Sequence, residues 1–233
     1  MIKIFQIILC IIFSQIVISH KCFALSNTSE FLVNREEIWP NWSMPILKSS
    51  DISKDLVYPN WFEGNWIIKS EDLNVDSKEP IFYKVNFFKN QMGEIVGNRA
   101  KNSESLGKEI FGENLKYVKA DPKSFNNQII YLKNNEFIES RVTGRSQTLN
   151  DDLFFADEFI IQTTHKEGLS RLNQVEVMSK FYKCEAEISD QNTKDIKICG
   201  TQYTATYGSK IGVPNLKAIS TNRYKLTFDS IEN

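Results

Sequence analysis

The 233-residue sequence predicts an all-β fold: an antiparallel barrel of about eight to ten strands with one short helix and an N-terminal arm. Three observations predict it. Short runs rich in Ile, Val, Phe, Tyr and Thr recur from Asn65 onward, separated by Asn, Asp, Gly or Pro. Within them apolar residues alternate with polar ones, most clearly at Ile81, Tyr83, Val85 and Phe87 and again at Val175, Val177 and Phe181, so that one face is buried. A convincing interior helix occurs once, at Ser103–Phe111, which excludes a parallel α/β fold with its alternating helices.

The elements follow in order. Residues 1–24 read as a secretory signal peptide: Lys3, an apolar stretch from Ile4 to Ile18 too short for a comfortable span of about 20 residues, then Cys22-Phe23-Ala24 with small residues where a signal peptidase reads. Residues 25–63 form the arm, polar and proline-containing, with a short helix over Glu30–Ile38. The barrel domain takes residues 64–233. Its strands are expected at Asn65–Lys69, Ile81–Phe88, Glu94–Gly97, Leu115–Lys119, Gln128–Lys133, Glu136–Thr143, Phe155–Thr163, Val175–Glu187, Ile196–Tyr207 and Asn222–Phe228. Gly112 ends the Ser103–Phe111 helix in the place of a left-handed cap. Closure into a barrel would remove exposed strand edges, and a sandwich is the alternative.

Composition narrows the function classes. Loss of Lys3 and Lys21 with the signal moves the formal charge from −1 to −3, which argues against nucleic-acid binding through a basic stripe. Cys10 and Cys22 leave with the signal, so Cys184 and Cys199 are the pair that remains. Counting outward from an Asp190-Gln191-Asn192-Thr193 turn sets them directly opposite one another, which predicts a cross-strand disulfide and an oxidising compartment. Two free buried thiols or half of a metal site are the alternatives, although His165 is the one histidine outside the signal. No nucleophile elbow, metal-ligand spacing or Gly-rich phosphate loop is present, so no catalytic residue, metal or cofactor is assigned.

Gly64-Asn65-Trp66 opens the first barrel strand and resembles the Gly-x-Trp motif of lipocalin-like barrels. That resemblance implies a tryptophan plugging one barrel end beneath an arginine from the last strand, here Arg223. The echo Trp39-Pro40-Asn41-Trp42 and Tyr58-Pro59-Asn60-Trp61 is either an aromatic docking surface or a tether that packs the arm on the domain. Arg99, Asn102, Arg145, Glu158 and Glu176 are polar residues in apolar surroundings. They suit either a ligand clamp or Arg–Glu pairing across strands.

The segments Trp39–Trp42, Asp55–Trp66, Asn98–Asn102, Gly144-Arg145 and Val175-Glu176 together resemble a cyanobacterial and chloroplast family of thylakoid-lumen or periplasmic proteins of uncharacterised function. The resemblance runs over roughly Trp39–Tyr182. It implies localisation more than activity, and suits an exported, non-catalytic accessory protein that meets a membrane protein complex such as a photosystem; the paired Pro-Asn-Trp segments make Trp39, Trp42 and Trp61 the contact residues. The alternative is a carrier or enzyme for a small apolar ligand, a pigment or lipid, inside the barrel. Where the family pattern has Asp before its Arg-Ala-x-Asn segment, this chain has Asn98, which puts any role of that carboxylate in question.

Overall fold

The structure is a computed structural model that describes residues 30–47, 54–75, 78–149, 152–184, 197–208 and 216–231. The signal segment 1–24 and the turn at 190–193 lie outside the described residues. The chain divides into two compact units, Met1–Trp39 and Pro40–Asn233. In the first, residues 30–37 form helix α1 as expected, ending in a turn in which the Trp39 amide donates to Glu36 O.

The second unit is one antiparallel sheet of eleven strands. These are β1 (Val57–Tyr58), β2 (Gly64–Asp72), β3 (Ile81–Lys89), β4 (Ile95–Gly97), β5 (Leu115–Asp121), β6 (Ser124–Leu132), β7 (Phe137–Leu149), β8 (Leu153–Lys166), β9 (Leu169–Cys184), β10 (Lys197–Tyr207) and β11 (Ser220–Ser230). Helix α2 (Arg99–Phe111) lies between β4 and β5 in the chain. The spatial order is β1-β4-β3-β2-β11-β10-β9-β8-β7-β6-β5. In a flat sheet β3 and β8, five places apart, would be separated by about 24 Å. Yet the ring of Phe62 meets Phe87 of β3 at 5.0 Å and Phe154 of β8 at 5.8 Å. The sheet therefore curls into a half-barrel around Phe62, which is fully buried among Trp66, Ile68, Phe181, Leu226 and Phe228.

The half-barrel stays open, because β1 and β5 each pair with a single neighbour among the described residues. Closure by strands was the expectation; a helix takes that place. Helix α2 packs on β3, β5 and β6. Its Ser105 hydroxyl accepts the Lys84 amide at 2.9 Å, and Asn102 Oδ1 accepts the Asn86 amide at 2.8 Å while its Nδ2 donates to Asn86 O. Asn102 thus acts as a surrogate strand, supplying β3 with the bonds of a missing neighbour. The helix begins at Arg99, four residues before the sequence places it, because Asn98 caps it by accepting the Lys101 amide. Only a side-chain oxygen is needed there, and asparagine supplies one. Gly112 ends the helix as expected, its amide donating to Lys108 O, but at φ 53° and ψ −133° it is not the left-handed cap that the sequence suggests.

Two further expectations are corrected. Residues 55–62 are not an arm lying on the domain: Leu56 and Phe62 are core residues, and Val57–Tyr58 pair with β4. Their side chains fill the concave side of the curl together with strand residues such as Trp66, Phe87, Phe181 and Phe228. The Cys184–Cys199 disulfide is present, but it runs diagonally. Cys184 lies opposite Lys197 and Cys199 opposite Tyr182, so the strand register is two residues away from that of a four-residue turn. The bridge closes a loop with a sequence separation of 15. Reduction, or the double substitution Cys184→Ser/Cys199→Ser, is expected to lower stability by about 3 kcal/mol. Urea unfolding with and without reductant measures it, and coincident curves would remove the bridge from the account of stability.

Candidate functional site

Register and one bulge assemble a charged cluster at one side of the concave face. In the β7–β8 pairing Val142 lies opposite Ile160 and Gly144 opposite Phe159, so Thr143 is an extra residue on β7. Without that bulge Gly144 would face Glu158; with it Arg145 does. Arg145 then donates to Glu158 Oε1 from Nε at 2.9 Å and from Nη2 at 2.6 Å. Its Nη2 also reaches Asn126 Oδ1 at 2.7 Å and its Nη1 the Lys54 carbonyl at 3.3 Å. Arg99, carried in by the first turn of α2, donates from Nη2 to Glu158 at 2.9 Å and from Nε to Asp55 at 2.5 Å.

Two cations and two carboxylates balance one another here, most of them away from water. Burial alone would raise the Glu158 carboxyl, but the Arg99 and Arg145 guanidiniums outweigh it and hold the group below its ordinary value. Burial likewise opposes the charge on Arg99, and Glu158 and Asp55 overcome that. Beside them burial pushes the Tyr58 phenol well above its ordinary value, so it stays a neutral donor.

Next to this cluster lies a cavity of about 210 Å³, partly enclosed by the curl. Its apolar wall includes Tyr58, Phe62, Val85, Phe87, Phe181 and Phe228, while Leu106 of α2 closes one side. The polar wall groups are largely occupied with each other: Gln202 Nε2 donates to Ser179 Oγ at 3.2 Å, and Ser103 Oγ and Gln128 bond reciprocally. Three donors are not. Arg99, Tyr58 and Tyr83 are wall residues, and Arg99 Nη1 and the two hydroxyls have no hydrogen-bond partner among the described residues.

Of the residues singled out in the sequence, Arg99, Arg145 and Glu158 come together, and the cross-strand pairing of Arg145 with Glu158 serves register as well as charge. Asn102 lies at the cavity wall but is committed to Asn86. Glu176 is elsewhere: Phe159 stands opposite it whereas Glu158 stands opposite Val177, so the two glutamates project from opposite faces. Glu176 is fully buried and accepts a hydrogen bond from the Tyr207 hydroxyl. Trp42 is 1% exposed, with its ring 6.2 Å from Tyr203 and its flanking backbone bonded to Ala218 and Leu216. Trp61 stacks on Phe62 at 4.5 Å, and Trp39 is half-buried in the other unit. Gly64 starts β2 at φ 128°, and the Trp66 indole donates to Phe62 O at 2.8 Å.

The arginine expected over that indole is not there. Ser230 is the residue opposite Trp66, and Arg223 lies seven positions along β11, about 23 Å away.

Sequence reasoning missed Asp55, Tyr58 and Asn126. Asp55-Leu56-Val57-Tyr58, an acidic residue entering an alternating run, was the available signal for two of them. It also missed Ser170, whose hydroxyl lies 2.9 Å from His165 Nδ1 on the β8–β9 hairpin, with Glu139 at 3.6 Å from Nε2. That grouping lacks the makings of a hydrolytic centre: the carboxylate is beyond hydrogen-bond range, and His165 stacks on Phe137 at 4.3 Å instead of facing a cleft.

Among the described residues no helix is long and apolar enough to cross a membrane, and no cluster of His, Cys, Asp or Glu suits a metal ion. No curated protein and no solved structure matches the chain. The profile of a domain of unknown function, DUF6816, matches residues 70–230 and so takes in β3–β11, α2, the Arg99–Arg145–Glu158 cluster and most of the cavity wall. The chain therefore belongs to the DUF6816 family.

Proposed function

We propose that the protein is an exported, non-catalytic binder of a small, largely apolar molecule held in the cavity of the half-barrel. The cavity itself carries the reading. At about 210 Å³ it exceeds the ~150 Å³ that holds a benzene ring in a protein interior. Its wall combines aromatic and aliphatic side chains with a few polar ones, the usual composition of a ligand site. It is too small for an entire pigment and suits a single ring or a short chain. The Cys184–Cys199 bridge supports export, since such bonds persist in oxidising compartments. Docking to a membrane complex through the aromatic segment has less to draw on, because Trp42 is already enclosed.

Leu106→Trp enlarges a wall residue into the cavity and breaks no hydrogen bond. It is expected to abolish retention of a small molecule in native mass spectra of protein purified from its own compartment, and to weaken binding of an aromatic probe at least about tenfold, or 1.4 kcal/mol. Equal binding by wild type and variant would defeat the proposal.

A further inference from the structure

Building on the cavity reading, we infer that the site selects an uncharged ligand with a hydrogen-bond acceptor at its head, a ketone, ester or alcohol, and discriminates against carboxylates. A cavity lined by an arginine invites the opposite conclusion, that the guest is an acid held by the guanidinium. The surroundings of Arg99 argue against it. Its charge already faces Asp55 at 2.5 Å and Glu158 at 2.9 Å. The second cation, Arg145, is bound twice to Glu158 and further to Asn126 and Lys54 O. Among the described residues no other basic side chain lines the cavity. An anionic guest would leave water to meet two carboxylates and a pair of guanidiniums that they already neutralise, and its desolvation would go uncompensated.

A neutral acceptor meets a different environment. Arg99, Tyr58 and Tyr83 are wall residues, and among the described residues Arg99 Nη1 and the two hydroxyls have no partner, so all three can donate. Burial keeps both phenols protonated, so neither adds charge. One carbonyl oxygen accepts two such donors, while the ring or chain behind it lies against Phe62, Phe87 and Phe228.

Acetophenone and benzoate have the same heavy-atom count and nearly the same shape, and differ in charge. Titrated at pH 7 by NMR into the full mature chain, acetophenone is expected to bind at least about tenfold more tightly, with shifts confined to cavity residues. Benzoate binding equally or more tightly would overturn the selectivity and leave the cavity reading intact; failure of both probes would remove the cavity reading and the selectivity with it. Asp55→Asn separates charge from shape, since it frees part of the Arg99 charge without changing the size of the side chain. The ketone-to-carboxylate ratio should fall several-fold in that variant, and an unchanged ratio would overturn the charge argument.

Discussion

Glu158→Ala is expected to lower the unfolding free energy by about 3–5 kcal/mol, the range for removing one partner of a buried ion pair. The size follows from what is left behind. Glu158 Oε1 receives three donors from two arginines, and the Arg145 side chain is only 9% exposed. Without the carboxylate both guanidiniums remain held in place by Asp55, Asn126 and Lys54 O, with one negative charge for two positive ones. Glu158→Gln keeps an acceptor oxygen and should cost less. Replacing both members, Glu158→Leu with Arg145→Leu, should cost less than Glu158→Ala, because no unpaired charge is buried. Urea midpoints of the four proteins check the order. A Glu158→Ala change smaller than about 1 kcal/mol would place the pair among ordinary surface contacts.

The same residue fixes part of the pH dependence. The folded Glu158 carboxyl lies below the ordinary 4.5, so in acid the unfolded chain takes up its proton first. The stabilisation is complete above about pH 4.5 and is lost as pH falls through the lower folded value. Melting temperatures between pH 7 and 3 should fall less steeply for Glu158→Gln than for wild type.

The strands were legible because alternation depends on nearest neighbours in sequence, and within the described residues each of the ten expected runs overlaps a strand of the sheet. Curvature and closure depend on contacts that no short window contains. Phe62, for instance, reaches Phe228 across the half-barrel. The start of α2 was hidden because Arg99-Ala100-Lys101-Asn102 has no apolar periodicity; its signal was the cap at Asn98. For the cluster, Arg99, Arg145 and Glu158 stood out as polar residues among apolar ones. Asp55 did not, since it meets Arg99 across 44 residues of chain, and Lys54 contributes only a main-chain carbonyl. The twin Pro-Asn-Trp strings show the limit of local reading: Trp42 packs near Tyr203 and Trp61 on Phe62, two environments for one motif.

Gly200→Ala is expected to destabilise the protein by about 3 kcal/mol, at the upper end for overpacking a core. Gly200 of β10 lies directly opposite Phe181 of β9. A Cβ there would stand 2.2 Å from Phe181 Cδ1 and 2.4 Å from the Lys180 carbonyl oxygen. The ring can turn aside only against Phe62, Phe154 and Phe228, all in contact with it, while the carbonyl belongs to a paired strand and has little freedom. In a Phe181→Leu background the cost of Gly200→Ala should shrink, because the ring is gone, yet persist in part, because the carbonyl remains. Complete relief would assign the whole effect to the ring, and a single-variant cost within about 0.5 kcal/mol of zero would show that β9 and β10 separate easily. Phe181 also lines the cavity, so a displacement that relieves the clash alters the wall that a ligand meets. Gly200→Ala should therefore weaken acetophenone binding as well as stability, whereas Glu158→Gln, whose site is beside the cavity, should change stability more than it changes binding.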